Sequence, residues 1–371
     1  YFSDFVKSQL LIYKDAGWLA DGIANSRFVS GVGTNFVSLV IASAYMVGIR
    51  DFDINTGYAA ALKNELDGNN RPNGAGKLDT DRFLQYGFVN HIDKDNRSGE
   101  LWQFSASHTL EYAFSAYAVA QWARQLGKKE DEKRLTELSN AWKKIFDPSL
   151  RLIRPKWETG QFIGDFKPTQ AWRGFQEGNA VQYTFYVPHD PYALVKAIGK
   201  DSFNIRLNRI FETSRKNAFG GGTTIDAFAG LEFLYNHGNQ PCLHIPWLFN
   251  FSGKPSLTQK WVRTICNEFY GTEGIHGYGY GQDEDQGQLL FRISGLLEHG
   301  GAGPVRDRSA LDGDPADHRR ADGGDVPADQ VHPPGAHRTL ARDFAAPGGA
   351  VVRLRRARGL GRFPPRQLGQ L

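Results

Sequence analysis

The sequence is poor in residues that cross-link small scaffolds and in apolar runs that cross membranes. It contains 2 cysteines, Cys242 and Cys266, which excludes a disulfide-rich scaffold and leaves one pairing open if the fold brings them together. No window approaches about 18 consecutive apolar residues, so we predict no membrane span. The chain opens on Tyr1 with neither Met nor a signal peptide, and we therefore expect a fragment or a processed product.

The C-terminal part lacks whole residue types. Residues 302–371 contain no Lys, Ile, Asn, Glu, Tyr or Trp, yet hold 12 Arg, 8 Asp and 8 of the 17 Pro. An Arg-rich tail could bind nucleic acid or acidic membranes. However, the missing residues are those of A/T-rich codons, which favours a GC-rich gene read out of frame. We interpret 301–371 as a disordered tail with too few apolar residues for a core, and predict neither nucleic acid nor membrane as a partner.

The body, residues 1–300, has the patterns of an all-α domain. Leu135, Leu138, Trp142 and Ile145 recur at helical spacing, and 36–47 is almost wholly apolar, so a helix there would be buried on most sides. Only 150–157 offers a weak strand pattern. The predicted helices are Phe36–Val47, Glu111–Leu126, Glu130–Phe146, Ser202–Lys216, Thr224–Tyr235 and Leu257–Tyr270.

Long loops rich in Gly, Asn and aromatic residues separate these helices. They cover 67–77, 160–179, 235–244 and 271–288. Loops of this length in a compact domain are usually functional. About ten helices joined in this way fit a toroid of helix pairs, an architecture that gathers its loops at one end around a pocket. The aromatic content of 13% suits the stacking of sugar rings, although core packing explains it as well.

Two acidic sites stand out in these loops. Glu177 lies among aromatic and glycine residues, where partial desolvation would raise the pKa of its carboxyl group, as a general acid requires. Asp283 and Asp285 are two apart on a glycine-flanked loop, so in an extended segment both carboxylates could hold one water. Such a pair of sites is what a glycosidase needs. The alternatives are a Glu that caps the next segment and an acidic turn on the surface.

Several long motifs closely resemble glycoside hydrolase family 92. They are Phe175–Asp190, Asn236–Pro241 with His244-Ile245-Pro246, and Gly281–Gln288, preceded by Gly31–Phe36, Gly48–Asp53 and Thr109–Ala113. The match covers roughly residues 1–288 in the right order. The resemblance implies a calcium-dependent exo-α-mannosidase that inverts anomeric configuration. It also implies an (α/α)6 catalytic barrel, preceded by a β-sandwich domain.

The resemblance also assigns roles to residues. Glu177 would be the general acid, Asp283 and Asp285 would act on the water, and Asn239 with Gln240 would help hold Ca²⁺. Gln240 stands where many members have Glu, so the metal affinity could be lower. The residues expected to contact the substrate are Trp172, Arg173, Asn179, His189 and His237. His189 and Asp190 could instead brace the loop after Pro188.

The sequence departs from the family in two places. From the resemblance we expect the sandwich domain and the first barrel helices to be missing, and the sequence after Gln288 no longer follows the family pattern. We therefore expect an incomplete toroid from a secreted enzyme that removes terminal α-linked mannose from glycans. The rival hypotheses are another inverting glycosidase on the same toroid, such as a glucosidase, and an inactive fragment that binds mannose weakly.

Overall fold

The computed structural model describes residues 1–92, 104–218, 234–237 and 239–268. The predicted tail at 301–371, the loop 271–288 with Asp283 and Asp285, and most of the predicted helix at 224–235 lie outside the described residues.

Within these ranges the chain is mainly helical. The helices are α1 (Phe2–Ala16), α2 (Val37–Met46), α3 (Ile54–Leu66), α4 (Thr80–Tyr86), α5 (Ser105–Gln125), α6 (Lys129–Ser139), α7 (Trp142–Ile145), α8 (Ala180–Tyr183), α9 (Pro191–Ile198), α10 (Lys200–Ala218) and α11 (Pro255–Glu268). Two 3₁₀ helices, Gln240–Cys242 and Ile245–Asn250, precede α11. Two short antiparallel ladders pair β1 (Gly22–Ala24) with β2 (Arg27–Val29) and β3 (Phe146–Asp147) with β4 (Leu152–Ile153). The prediction of an all-α fold is confirmed.

The local chemistry explains where several helices begin and end. Asp53 caps α3, because its carboxylate accepts a hydrogen bond from the amide of Thr56 at 3.0 Å. Gly17 and Gly87 end α1 and α4 in the left-handed conformation, which glycine adopts without a Cβ penalty. The helix predicted over 130–146 is interrupted at Asn140, between α6 and α7. Its apolar stripe nevertheless continues across the break, since Trp142 and Ile145 are buried like Leu135.

Helix α5 is the central element of the described chain. The residues of its second half, from Ala116 to Ala123, pack with α1, α2 and α3 in one hydrophobic cluster. Ala106, Leu110 and Phe114 in its first half belong to a second cluster, together with α9, α10 and α11. Because both clusters share α5, this helix fixes the loops at its N-terminal end relative to two cores.

A buried ion pair ties α2, α3 and α5 together. The ammonium group of Lys77 lies 2.5 Å from Glu65 Oε2 on α3 and 2.6 Å from Ser115 Oγ on α5, and both charged side chains are 2% exposed. Ser38 on α2 donates a hydrogen bond to the other oxygen of Glu65. Burial lowers the pKa of Lys77 to about 8, while the charge of Glu65 opposes this shift.

The two cysteines do not pair. Cys242 is a buried free thiol and Cys266 an exposed one. Among the described helices, none combines the length with the apolar character that a bilayer crossing requires.

Candidate active site

The loop that carries Glu177 is anchored to the beginning of α5. The carbonyl oxygen of Gly174 accepts hydrogen bonds from the amides of Ala106 at 2.9 Å and Ser107 at 3.1 Å. The hydroxyl oxygen of Ser107 in turn accepts a hydrogen bond from the amide of Gln176 at 3.2 Å. The first helical turn therefore satisfies its own unpaired amides by fixing the backbone just before Glu177.

This loop has an unusual backbone. Trp172, Gly174 and Glu177 have φ values of 69°, 85° and 48°. A Cβ atom at position 174 would lie 2.5 Å from Pro155 Cγ, so only glycine fits there. For Trp172 and Glu177 the left-handed conformation is disfavoured, and such residues cluster at active sites when the surrounding contacts hold them.

The segment after Glu177 is capped by one of the predicted substrate residues. The side-chain oxygen of Asn179 accepts hydrogen bonds from the amides of Val181 at 3.0 Å and Gln182 at 3.2 Å, which makes Asn179 the N-cap of α8. Tyr183 on α8 donates its hydroxyl hydrogen to the carbonyl oxygen of Gln176 at 2.7 Å. The buried Asn179 thus has a structural role, and its contact with substrate stays a prediction.

The structure brings two of the predicted sites together. The side-chain amide of Asn239 donates a hydrogen bond to the backbone carbonyl oxygen of Glu177, although the two residues are 62 apart in sequence. Asn239 is buried, and Glu177 is partly exposed. The candidate general acid and the candidate metal loop are therefore in direct contact.

His237 is buried and lies two residues before Asn239 in the chain. Its Nδ1 forms a hydrogen bond with the hydroxyl group of Tyr235, whose ring packs 4.5 Å, centroid to centroid, from Phe211. Burial lowers the pKa of His237 to about 3, so the imidazole is neutral at physiological pH. A neutral His237 can bind a sugar hydroxyl, and this role stays a prediction.

Asn239 and Gln240 offer the kind of ligands that calcium accepts. Ca²⁺ binds oxygen atoms, including side-chain amides, and both residues carry one. Among the described residues, no group of three or more His, Cys, Asp or Glu side chains could hold a metal ion. The donor set fits Ca²⁺ in type, but the carboxylate ligands that Ca²⁺ favours would have to come from another part of the protein.

Trp172 and Arg173 lie on the same loop, upstream of Glu177. The indole ring of Trp172 is 6.0 Å, centroid to centroid, from Phe104, which directly precedes α5. Arg173 donates a hydrogen bond to the carbonyl oxygen of Asp165 at 3.1 Å. Both side chains are partly exposed, as a sugar contact requires.

His189 occupies a different environment. Its Nε2 donates a hydrogen bond to the carbonyl oxygen of Ser139 at 2.9 Å, and its ring stacks on Phe114 with 5.9 Å between centroids. The next residue, Asp190, caps α9 by accepting from the amide of Ala193. These contacts match the alternative that His189 and Asp190 brace the loop after Pro188. No contact between His189 and the Glu177 loop is among those described, so its substrate role stays a prediction.

The sequence assigns no role to the buried polar side chains on α5. His108 bonds Asp79 Oδ2 through Nδ1 at 2.7 Å, and Asp79 also binds Arg82. Burial acts to lower the pKa of His108, but the hydrogen bond to Asp79 and the negative charges around the ring raise it overall. One turn further along α5, Glu111 is buried as well. Glu111 falls within the family-like motif Thr109–Ala113; for His108 the signal in the sequence is a polar residue in a helix that is otherwise apolar.

The fold and this loop arrangement define a mainly helical domain, and comparison with known proteins identifies its family. Residues 1–291 match the model of the glycosyl hydrolase family 92 catalytic domain. The chain therefore belongs to glycosyl hydrolase family 92, and the resemblance noted from the motifs is confirmed. An uncharacterized secreted glycosidase of Arthroderma benhamiae is 26% identical over 340 residues, which cover 81% of this chain and 40% of that protein.

Solved structures agree on the fold. A family GH92 α-mannosidase of Bacteroides thetaiotaomicron, solved in complex with mannoimidazole, is 24% identical with a TM-score of 0.64 over 80% of this chain and 37% of its own. A GH92 inverting mannosidase of the same organism is 22% identical, with a TM-score of 0.63 over 79% of this chain and 38% of its own. The chain thus spans about two fifths of the length of these relatives.

Proposed function

We propose that this chain forms part of the catalytic domain of an α-mannosidase that removes terminal α-linked mannose from glycans with inversion and with the help of Ca²⁺. One observation carries the proposal. The loop of the candidate acid Glu177 is held by Asn239 of the candidate metal loop, within a chain that belongs to family 92. Because the chain covers about two fifths of its relatives, the activity is proposed for the whole protein.

The chemistry assigned to Glu177 is proton donation. A protonated Glu177 would transfer its proton to the glycosidic oxygen as the bond from that oxygen to C1 of mannose breaks. In an inverting enzyme a water attacks C1 from the opposite face and gives its own proton to a carboxylate base, about 6.5–9.5 Å from the acid. We assign that base to Asp283 and Asp285, which lie outside the described residues.

Asn239 and Gln240 would be protein ligands of the metal. When bound, Ca²⁺ would supply a positive charge that binds oxygen atoms of the sugar. The amide group of Asn239 already has its nitrogen directed to Glu177, so its oxygen is the atom that can serve as a ligand. The same side chain would then position both the metal and the backbone of the acid.

Removal of calcium tests this assignment with two measurements. We expect excess chelator to abolish hydrolysis of an aryl α-mannoside and added Ca²⁺ to restore it. Calorimetric titration of the chelated protein with Ca²⁺ is expected to give a binding isotherm that weakens in Asn239→Ala. Glu158→Gln, an exposed change elsewhere in the chain, serves as the control that leaves the isotherm unchanged. Full activity in excess chelator, or no measurable Ca²⁺ binding, contradicts the calcium role.

Comparison of an aryl α-mannoside with an aryl α-glucoside tests which sugar the protein hydrolyses. The proposal predicts hydrolysis of the α-mannoside and little or none of the α-glucoside. Preference for the glucoside would favour another inverting glycosidase on this fold. Mannose binding by calorimetry without turnover would indicate an inactive domain. We also propose that the protein is secreted, which its likeness to a secreted glycosidase supports.

A further inference from the structure

A line of polar side chains runs along the buried helix α5. His108, Tyr112 and Ser115 follow one another at helical spacing, and each has a defined partner. His108 bonds Asp79, the Tyr112 hydroxyl donates to the carbonyl oxygen of Gly33 at 2.9 Å, and Ser115 bonds the Lys77–Glu65 pair. Hydrogen bonds within the protein therefore explain why these three polar residues can be buried.

Glu111 lies on the same helix, adjacent to these three residues. The hydrogen bonds within the protein do not satisfy its carboxyl group. It is 7% exposed, and its Oε2 atom is buried without a hydrogen-bond partner. Polar atoms that a folded protein buries are nearly always hydrogen-bonded, and each exception calls for an explanation. A ligand that binds at this position is one such explanation.

The geometry of α5 directs Glu111 towards the Glu177 loop. Ser107, four residues earlier, binds Gln176, and Phe114, three residues later, contacts Tyr186 at 6.3 Å between centroids. Residues three and four apart share one face of a helix, so Glu111 lies on the face that meets the segment 176–186. Its carboxyl group interacts electrostatically with His108 on its own helix, and also with Asp21 and Glu177.

Burial favours the neutral form of the Glu111 carboxyl group. Burial raises the pKa of Glu111 to about 8; His108 opposes this rise, and Asp21 and Glu177 add to it. A neutral carboxylic acid both donates and accepts a hydrogen bond, as does a sugar hydroxyl.

We propose that Glu111 is a further substrate-binding residue, whose buried carboxyl group forms a hydrogen bond with a ring hydroxyl of the neutral sugar that Glu177 cleaves off. The inference rests on the proposed glycosidase function and adds a specificity-determining contact to it. A sugar that lacks this hydroxyl would leave the carboxyl group buried and unpaired. The site would therefore reject it strongly.

A double-mutant cycle between protein and substrate tests this contact in the whole protein, for which the activity is proposed. The substrates are an aryl α-mannoside and its 2-, 3-, 4- and 6-deoxy analogues. We expect Glu111→Leu to lower kcat/KM for the complete mannoside by about 10- to 100-fold. For the deoxy analogue that lacks the hydroxyl bound by Glu111, Glu111→Leu should cause little further loss of kcat/KM, because the contact is already absent. Glu111→Gln keeps a donor and an acceptor and should retain most of the activity.

Controls separate this contact from a general loss of structure. Gln121→Leu makes a comparable change at a buried polar position near the other end of α5, and it should reduce all five substrates to the same extent. If Glu111→Leu also acts equally on all five, or if Glu111→Gln is as impaired as Glu111→Leu, the substrate contact is wrong. Failure of the wild-type protein to cleave any of the five mannosides refutes the proposed function itself. Should Glu111→Leu not fold, Glu111→Ala takes its place in the same comparison. A loss of kcat/KM that is smaller for one deoxy analogue than for the other substrates supports the contact, and an equal loss for all five overturns it.

Discussion

Glu177→Gln is expected to lower kcat/KM for an α-linked mannose disaccharide by roughly 10²- to 10⁴-fold, the contribution of a positioned general acid. Glutamine keeps the size of the side chain but has no proton to transfer to the leaving oxygen. An aryl mannoside with a strongly acidic phenol leaves without that proton, so its hydrolysis should be far less impaired. The measurement is kcat/KM for wild type and variant over a series of leaving groups of increasing pKa.

The control for this series is Glu158→Gln. Glu158 is an exposed glutamate in the turn between Trp157 and Gln161, in the same chain segment that leads to Glu177. We expect Glu158→Gln to keep kcat/KM for every leaving group within about twofold of the wild-type value, as for a surface change away from special contacts. An equal loss for all leaving groups in Glu177→Gln would speak against Glu177 as the acid. It would instead indicate a role for Glu177 in shaping its loop.

The second large effect concerns stability. Lys77→Met is expected to reduce the free energy of unfolding by about 3–5 kcal/mol, because it leaves the buried charge of Glu65 without its counterion. Ser38 and Ser115 still donate hydrogen bonds to Glu65, so the lower end of this range is expected. Chemical denaturation followed by tryptophan fluorescence measures the change.

Two further variants make the stability test specific. Lys260→Met removes the lysine of an exposed ion pair with Glu212, 3.1 Å apart, and should cost no more than about 1 kcal/mol. Combining Lys77→Met with Glu65→Leu should recover much of the loss, since no buried charge then remains unpaired. A double variant less stable than Lys77→Met alone would contradict this account of the pair.

Much of the helical fold could be predicted from hydrophobic spacing. The helices predicted at 36–47, 202–216 and 257–270 correspond to α2, α10 and α11, with ends displaced by one or two residues where they are described. The beginning of α5 was not recognised, because the sequence from Ser105 to Thr109 is polar and such residues are usually exposed. Here they are buried and bound to loops: Thr109, for example, accepts a hydrogen bond from the amide of Val89 at 2.9 Å.

The sequence patterns also do not predict the hairpin of β1 and β2. Its strands are three residues each, too short for an alternating pattern, and its turn is formed by Asn25 and Ser26 with positive φ. Such a turn depends on two residues rather than on periodicity. The short ladder of β3 and β4 falls partly within the weak strand pattern at 150–157.

The candidate site could be predicted only in part. The motif resemblance pointed to Glu177 and Asn239 separately, but their contact depends on packing between segments 62 residues apart. Glu111 lies in the family-like motif Thr109–Ala113, but the sequence does not assign a role to it. Whether a polar residue in a buried helix has a partner is decided by side chains from distant segments, and no local spacing reports it. The roles of Asp283 and Asp285 stay predictions, because they lie outside the described residues.

The central claim is that this protein hydrolyses a terminal α-mannoside by a single displacement with water, with Glu177 as the acid. Time-resolved proton NMR of aryl α-mannoside hydrolysis tests it most directly, because mannose anomers interconvert slowly enough to identify the first product. The account predicts that β-mannose accumulates first and that α-mannose appears only later by mutarotation. Initial release of α-mannose would contradict it.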